Sequence, residues 1–302
     1  MAVQGKKPEI VTARRVEVVL PMRLWKGGSQ FLRRKPLGAA GAFIIIIMAV
    51  LAAAAPLVTF HDPLAWSVSE RLSAPSMVHW LGTDEMGRDL WGRIVLGAQV
   101  SLVVGFGAVG FGSVSGAILG IVSGFYGGKV DAVAQRIMDA LMSIPTLILA
   151  LAIMAAMGQS LLNVIIAVGI PQIPRANRVV RSQALAVKQS EFVLAARSIG
   201  AEDTRIMVFH ILPQCVAPWL IIATAGLGTA IIAEASLSFL GMGIPPPWPS
   251  WGAMLSGTGR TYYATAPWLA IWPGLALSLA VYGFNLFGDA LRDVLDPRLR
   301  GT

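Results

Sequence analysis

Charge is what this sequence has least of: Asp, Glu, Lys and Arg make up only 13% of 302 residues, against about 25% in ordinary globular chains. The single cysteine, Cys215, excludes an internal disulfide and leaves no thiolate set for structural zinc or an iron–sulfur cluster, so no metal site is expected. All three histidines, His61, His79 and His210, fall between the apolar runs. No HExxH or GxSG occurs, and Gly288-Asp289 lacks the Gly at Leu286 that a GxGD protease needs. These absences argue against an intramembrane enzyme. Gly128-Lys129 has Ser123 where a phosphate-binding loop needs its first Gly, and Val130 where it needs Ser or Thr, so no nucleotide cradle forms there.

What the sequence does have is apolar residues, 55% of the chain, with a mean hydropathy of +0.68. They are gathered in charge-free runs, the mark of membrane-spanning helices. About 20 apolar residues rising 1.5 Å each cross the hydrocarbon core. Leu37 to Phe60 is such a run, and the 36 residues before it carry nine Lys or Arg, too long a charged lead for a signal peptide. Ile94 to Gly128 is the second, with its membrane part near Val100 to Phe125. Gly112, Gly116, Gly120 and Gly124, with Ala108 before and Gly128 after, draw a small-residue stripe that lets helices approach closely in lipid. Gln214 to Phe239 and Trp268 to Gly288 each give one more crossing.

Ala140 to Pro174 reads either as one long span or as two short ones broken at Gly158-Gln159-Ser160. Two spans make six crossings and leave 20 Lys or Arg on the side of the N-terminus against four, Arg71, Arg88, Arg93 and Arg260, on the other. A single span makes the split even, which conflicts with the concentration of positive charge in cytoplasmic loops. The expected fold is therefore all-α, with six transmembrane helices and both termini cytoplasmic. Trp80, Trp91, Trp248, Trp251, Trp268 and Trp272 are expected near the outer interface. A net charge of +8 then needs no nucleic acid to explain it. Pro171 and Pro174 are expected to interrupt the inner end of the fourth span.

The segment from Arg175 to Leu212 is the longest predicted inner stretch after the first span. In it Phe192, Ala195, Ala196 and Ile199 fall on one apolar face of a short helix, with Glu191, Arg197 and Ser198 away from it. Gly200 is the natural left-handed stop, and Asp203 or Thr204 is expected to cap a second helix running to Pro213. Such an elbow suits docking into a soluble partner or resting on lipid headgroups; the residues alone leave both open.

Ala195, Ala196, Gly200, Leu212 and Pro213 match the coupling motif of ABC-importer permeases, with Leu194 where the motif has Glu and Glu191 one turn earlier. RSIGAEDTRIMVFHILP, HWLGTDEMGRDLWGRIVLGAQVSLVVG, GFYGGKVDAVAQRIMDALMSIPTLILAL, EASLSFLGMGIPPPWPSWGAML and NLFGDALRDVLDPRLRG occur in order. Together they resemble the C-type permease of dipeptide, oligopeptide and nickel importers. The resemblance implies a type I importer fold: a basic leader at 1–36, a first helix at 37–60, an outer loop at 61–99, a core at 100–291 containing a coupling elbow at 191–213, and a tail at 292–302. It implies a place in the bacterial inner membrane, a related B-type permease as partner, two ATPase subunits carrying ATP and Mg²⁺, and an extracytoplasmic binding protein. No cofactor is expected on this chain. Peptides are the expected cargo, with nickel complexes, glutathione and oligosaccharides as alternatives; a channel or scaffold is the rival from another class.

Glu234 lies late in the fifth run, where it either meets a substrate amine in the pathway or bonds to the Ser236 to Gly241 turn. Asp139, Asn285 and Asp289 are expected at the inner interface as helix-end hydrogen bonders or as a gate. The loop with Gly82-Thr83-Asp84 and Arg88-Asp89 is expected to form a turn and a helix start, contacting the binding protein or folding over the pathway.

Overall fold

The computed structural model describes residues 35–295, so the basic leader before Lys35 and the last seven residues of the expected tail lie outside it. Among the described residues there is no strand, only an isolated bridge between Thr83 and Asp89. Nine helices of eight residues or more position everything else: α1 Pro36–Ala53, α2 Leu90–Tyr126, α3 Gly128–Ser143, α4 Thr146–Met157, α5 Leu161–Gly169, α6 Ile173–Lys188, α7 Glu191–Ser198, α8 Leu212–Phe239 and α9 Trp268–Leu295. Among the described residues four helical stretches are long and apolar enough to cross a membrane: α1, α2, Asp203–Phe239 and α9. The pair α3 and α4 qualifies as a fifth only when taken together across its bend.

The glycine stripe explains the central packing. A Cβ on Gly112, Gly116, Gly120 or Gly124 would stand 2.3, 2.4, 2.7 or 3.1 Å from the carbonyl oxygen of Gly169, Ile173, Asn177 or Arg181. Each step of four along α2 is matched by a step of four along α5 and α6, so these helices run parallel with backbone against backbone. A parallel pair needs a return path between its members, and α3 and α4 supply it.

That return is not the straight span expected from Ala140. Pro145 has no N–H and holds Ile144 extended (φ −96°, ψ 127°), and the two helices meet there at 94°. In α3 only Met138 is buried, and α4 has 12 residues, about 18 Å of rise. The first span is broken at Ala54 and resumes for one turn, Ala55–Val58, to end close to the expected Phe60. Pro56 cannot donate to the Ala52 carbonyl, the helix stops at Ala53, and Gln99 Nε2 takes that carbonyl at 2.5 Å. Conversely α2 begins at Leu90, ten residues before the expected membrane part, because the Asp89 carboxylate caps it by accepting the Gly92 N–H at 2.8 Å.

Pro171 and Pro174 do not stop the chain either. A single tight turn, Ile170–Gln172, joins α5 to α6, and the close packing on α2 holds both in line. Around this core α8 packs on α2 and α9, and α1 lies against α9. Lys35 reaches Asp293 at 2.5 Å, and a Cβ on Gly41 would stand 2.7 Å from the Gly283 carbonyl, so α1 and α9 are antiparallel.

Candidate functional site

Phe125, at the far end of α2 from the 61–89 loop, anchors the elbow. Val193 and Ala196 of α7 are buried in a cluster with Phe125, Val187, Ile206 and Ile211. The Arg197 guanidinium sits 5.1 Å from the Phe125 ring centre and the Lys188 ammonium 5.6 Å from it. Lys188 Nζ also donates to the Phe125 carbonyl. The elbow is thereby fastened to the end of a 37-residue helix, about 55 Å long.

Helix α7 ends on a complete Schellman turn. Gly200 has φ +80°, its N–H bonds the Arg197 carbonyl at 2.9 Å, and the Ala201 N–H bonds the Ala196 carbonyl at 3.0 Å. The expected second helix is modified. Asp203 is exposed in the first turn with no side-chain cap bond, the cap position being Glu202, so the expected cap at Asp203 or Thr204 is not made. Nor does a new helix begin at Pro213. A wide turn at Met207–Ile211 leads straight into α8; a looser hydrogen-bond register accommodates the N–H that Pro213 lacks.

The face expected to be apolar divides. Ala196 turns inward with Val193, while Phe192, Ala195 and Ile199 stay exposed, Ile199 at 86%. Arg197, expected away from the packing, folds back over Phe125. Glu191 and Leu194 are exposed three residues apart, so the motif's Glu position presents an apolar side chain beside a carboxylate. Phe192 is steadied by His210, their rings stacked with centres 6.4 Å apart. The outcome is a short helix bolted down on one side, with Phe192, Leu194 and Ile199 left exposed on the other.

A family model, described as binding-protein-dependent transport system inner membrane component, matches residues 116–301, a stretch that includes this elbow and most of the chain. The chain belongs to that family. Among curated relatives, this inner membrane component is 42% identical over 276 residues to the dipeptide transport system permease protein DppC of Alkalihalophilus pseudofirmus, covering 91% of this chain and 90% of that protein. It is 42% identical over 270 residues to the probable D,D-dipeptide transport system permease protein DdpC of Escherichia coli, covering 89% and 90%. It is 41% identical over 271 residues to the glutathione transport system permease protein GsiD of Pectobacterium atrosepticum, covering 90% of each.

Other candidate residues of this permease component separate. Glu234 is fully buried, and its Oε1 accepts from Ser238 Oγ and Ser250 Oγ at 2.8 Å each. Ser238 belongs to the 236–241 segment expected from the sequence, here in the last turn of α8; Ser250 does not. Asp139 pairs with Arg178 at 2.7 Å. Asn285 instead packs its Oδ1 2.5 Å from where a Cβ on Gly228 would stand. Trp251, expected at an interface, is 2% exposed and donates to the Ile94 carbonyl at 3.1 Å, because Gly97 leaves room for its ring.

Sequence reasoning passed over the tie between α3 and α6. Arg181 grips Asp131 with two bonds, Nε to Oδ1 at 2.5 Å and Nη2 to Oδ2, and Gln135 donates to Asn177 at 3.1 Å. The signal was present: Asp131, Gln135 and Asp139 recur every four residues, as do Asn177 and Arg181. In the 61–89 loop, Asp84 is the hub. It accepts from the Met86 and Arg88 N–H groups at 2.8 and 3.0 Å and from Arg88 Nε at 2.7 Å, and lies 3.4 Å from Arg93 Nε.

Proposed function

We propose that this chain is one half of the transmembrane pathway of an ATP-driven importer of di- or oligopeptides, moved by separate ATPase subunits that dock on α7. The observation that carries the reading is the two-sided elbow: Val193 and Ala196 fixed to Phe125, Phe192 and Ile199 left bare. Six crossings with both termini cytoplasmic fit the parallel packing of α2 with α5 and α6, which calls for one return between them, and the 20-to-four division of Lys and Arg. The elbow then faces the cytoplasm. The 61–89 loop faces outward, toward a binding protein.

A related B-type permease completes the pathway, two ATPases hold ATP and Mg²⁺, and the binding protein delivers cargo. Closure of the ATPase pair pushes α7, and α2 passes the shift to the outer gate as rigid-body motion. Peptide cargo rests on the names of the dipeptide relatives. The glutathione relative supports a second cargo, itself a small peptide.

Cysteine placed at Ile199 tests this in the assembled complex. Cross-linking to an ATPase subunit, altered between nucleotide-free and ATP-bound states, is expected. Labelling of that cysteine by a membrane-impermeant reagent from outside intact cells overturns the reading.

A further inference from the structure

Two histidines and two carboxylates from separate segments converge in the loop before α2, at the end away from the elbow. His61, His79 and Asp89 each offer a ligand atom, all within 4.8 Å of one another, and the two imidazole rings lie 4.7 Å centre to centre. His79 is 6% exposed. Its Nδ1 lies 3.0 Å from Asp89 Oδ1, and a carboxylate only accepts, so Nδ1 carries the proton. In the neutral ring Nε2 then presents a lone pair. That nitrogen is buried, has no hydrogen-bond partner, and lies 3.6 Å from Glu70 Oε1. Two acceptors facing one another need a positive charge between them.

Two arrangements supply that charge: a proton on His79, or a cation shared with its neighbours. The second imidazole decides in favour of the cation. His61 lies tilted 39° beside His79, and nitrogen from two histidines with a carboxylate is the donor set of borderline divalent metals. The Asp89 contact to Nδ1 is the orienting hydrogen bond that metal-bound histidines carry. Asp89 is itself fixed, since its Oδ2 caps α2.

We infer that His61 and His79 bind a divalent metal ion of the zinc class, with Glu70, 3.6 Å from His79 Nε2, as the carboxylate nearest that nitrogen and Asp89 as the positioning residue. The ion ties the segment that follows α1, the turn at Val68–Glu70 and the loop before α2 into one unit. None of its ligands belongs to the elbow, so this site and the transport reading stand or fall separately.

The test uses the full chain in its complex, purified without a polyhistidine tag, stripped with chelator and titrated with Zn²⁺. Wild type is expected to retain zinc in a one-to-one ratio, and bound Co²⁺ is expected to give the spectrum of nitrogen and oxygen ligation. His61→Ala and Glu70→Gln change exposed side chains and leave the cap intact; each is expected to weaken Zn²⁺ about tenfold or more. Zinc retention equal in wild type and the His61→Ala/Glu70→Gln double variant overturns the site.

Discussion

Gly116 of α2 and Ile173 at the head of α6 are in backbone contact: a β-carbon on Gly116 would stand 2.4 Å from the Ile173 carbonyl oxygen. Because the obstacle is backbone, it cannot rotate away as a side chain does. Gly116→Val is therefore expected to destabilise the chain by about 1–3 kcal/mol. Gly110, with nothing within 4 Å of its Cβ position, is the control. Thermal unfolding in detergent should separate a destabilised Gly116→Val from a Gly110→Ala that is as stable as wild type or more so.

Gly200 has open space around it but a φ of +80°, so the cost of a side chain there is conformational rather than steric. A β-branched residue forced into the left-handed region loses about 1–2 kcal/mol. Gly200→Val is expected to reset the elbow and uncouple ATP hydrolysis from uptake, while Gly200→Asn, which tolerates that region, retains most coupling. Unchanged uptake per ATP hydrolysed in Gly200→Val would remove the coupling role.

Arg197 and Phe125 form the cationic cap on the elbow's anchor. Arg197→Ala and Phe125→Leu are expected to show a coupling energy of about 0.5–1 kcal/mol in a double-mutant cycle on stability. Additive effects would mean that the contact contributes nothing.

The paired bonds from Arg181 to Asp131 hold α3 across the end of the bundle. Asp131→Asn removes the charge from a partly shielded pair and is expected to cost about 1.5–3 kcal/mol. Exchanging the two residues should recover part of that loss, and limited proteolysis at the Gly127–Gly128 junction reports it directly.

Glu234 is bonded to Ser238 and Ser250 through one oxygen. Glu234→Gln keeps an acceptor for both hydroxyls and is expected to leave uptake of cationic and neutral peptides equally unchanged. Glu234→Leu strands the serines and is expected to cost about 1–3 kcal/mol. A selective rise in KM for cationic peptides in Glu234→Gln would instead put the carboxylate in the pathway.

Much of this was legible along the chain. The glycine stripe and the stop at Gly200 follow from local spacing, since four-residue steps and left-handed glycines have one structural meaning within a helix. The bend at Pro145 was missed because composition alone reads 35 charge-free residues as membrane, although a proline restrains the residue before it. The division of the elbow's face was illegible for another reason. Val193 and Phe192 are equally apolar, and only the position of Phe125, 67 or 68 residues earlier, determines which of them is covered.

By itself the sequence determined the membrane class, the apolar runs and the elbow, because periodicity, charge and backbone preference are properties of neighbouring residues. Tertiary structure alone decided which helix the stripe meets, that Asp131 takes Arg181, that Ser250 reaches Glu234 across 16 positions, and that His79 stands between His61 and Glu70. Those are distances between segments remote in the chain, and packing, rather than local preference, sets them.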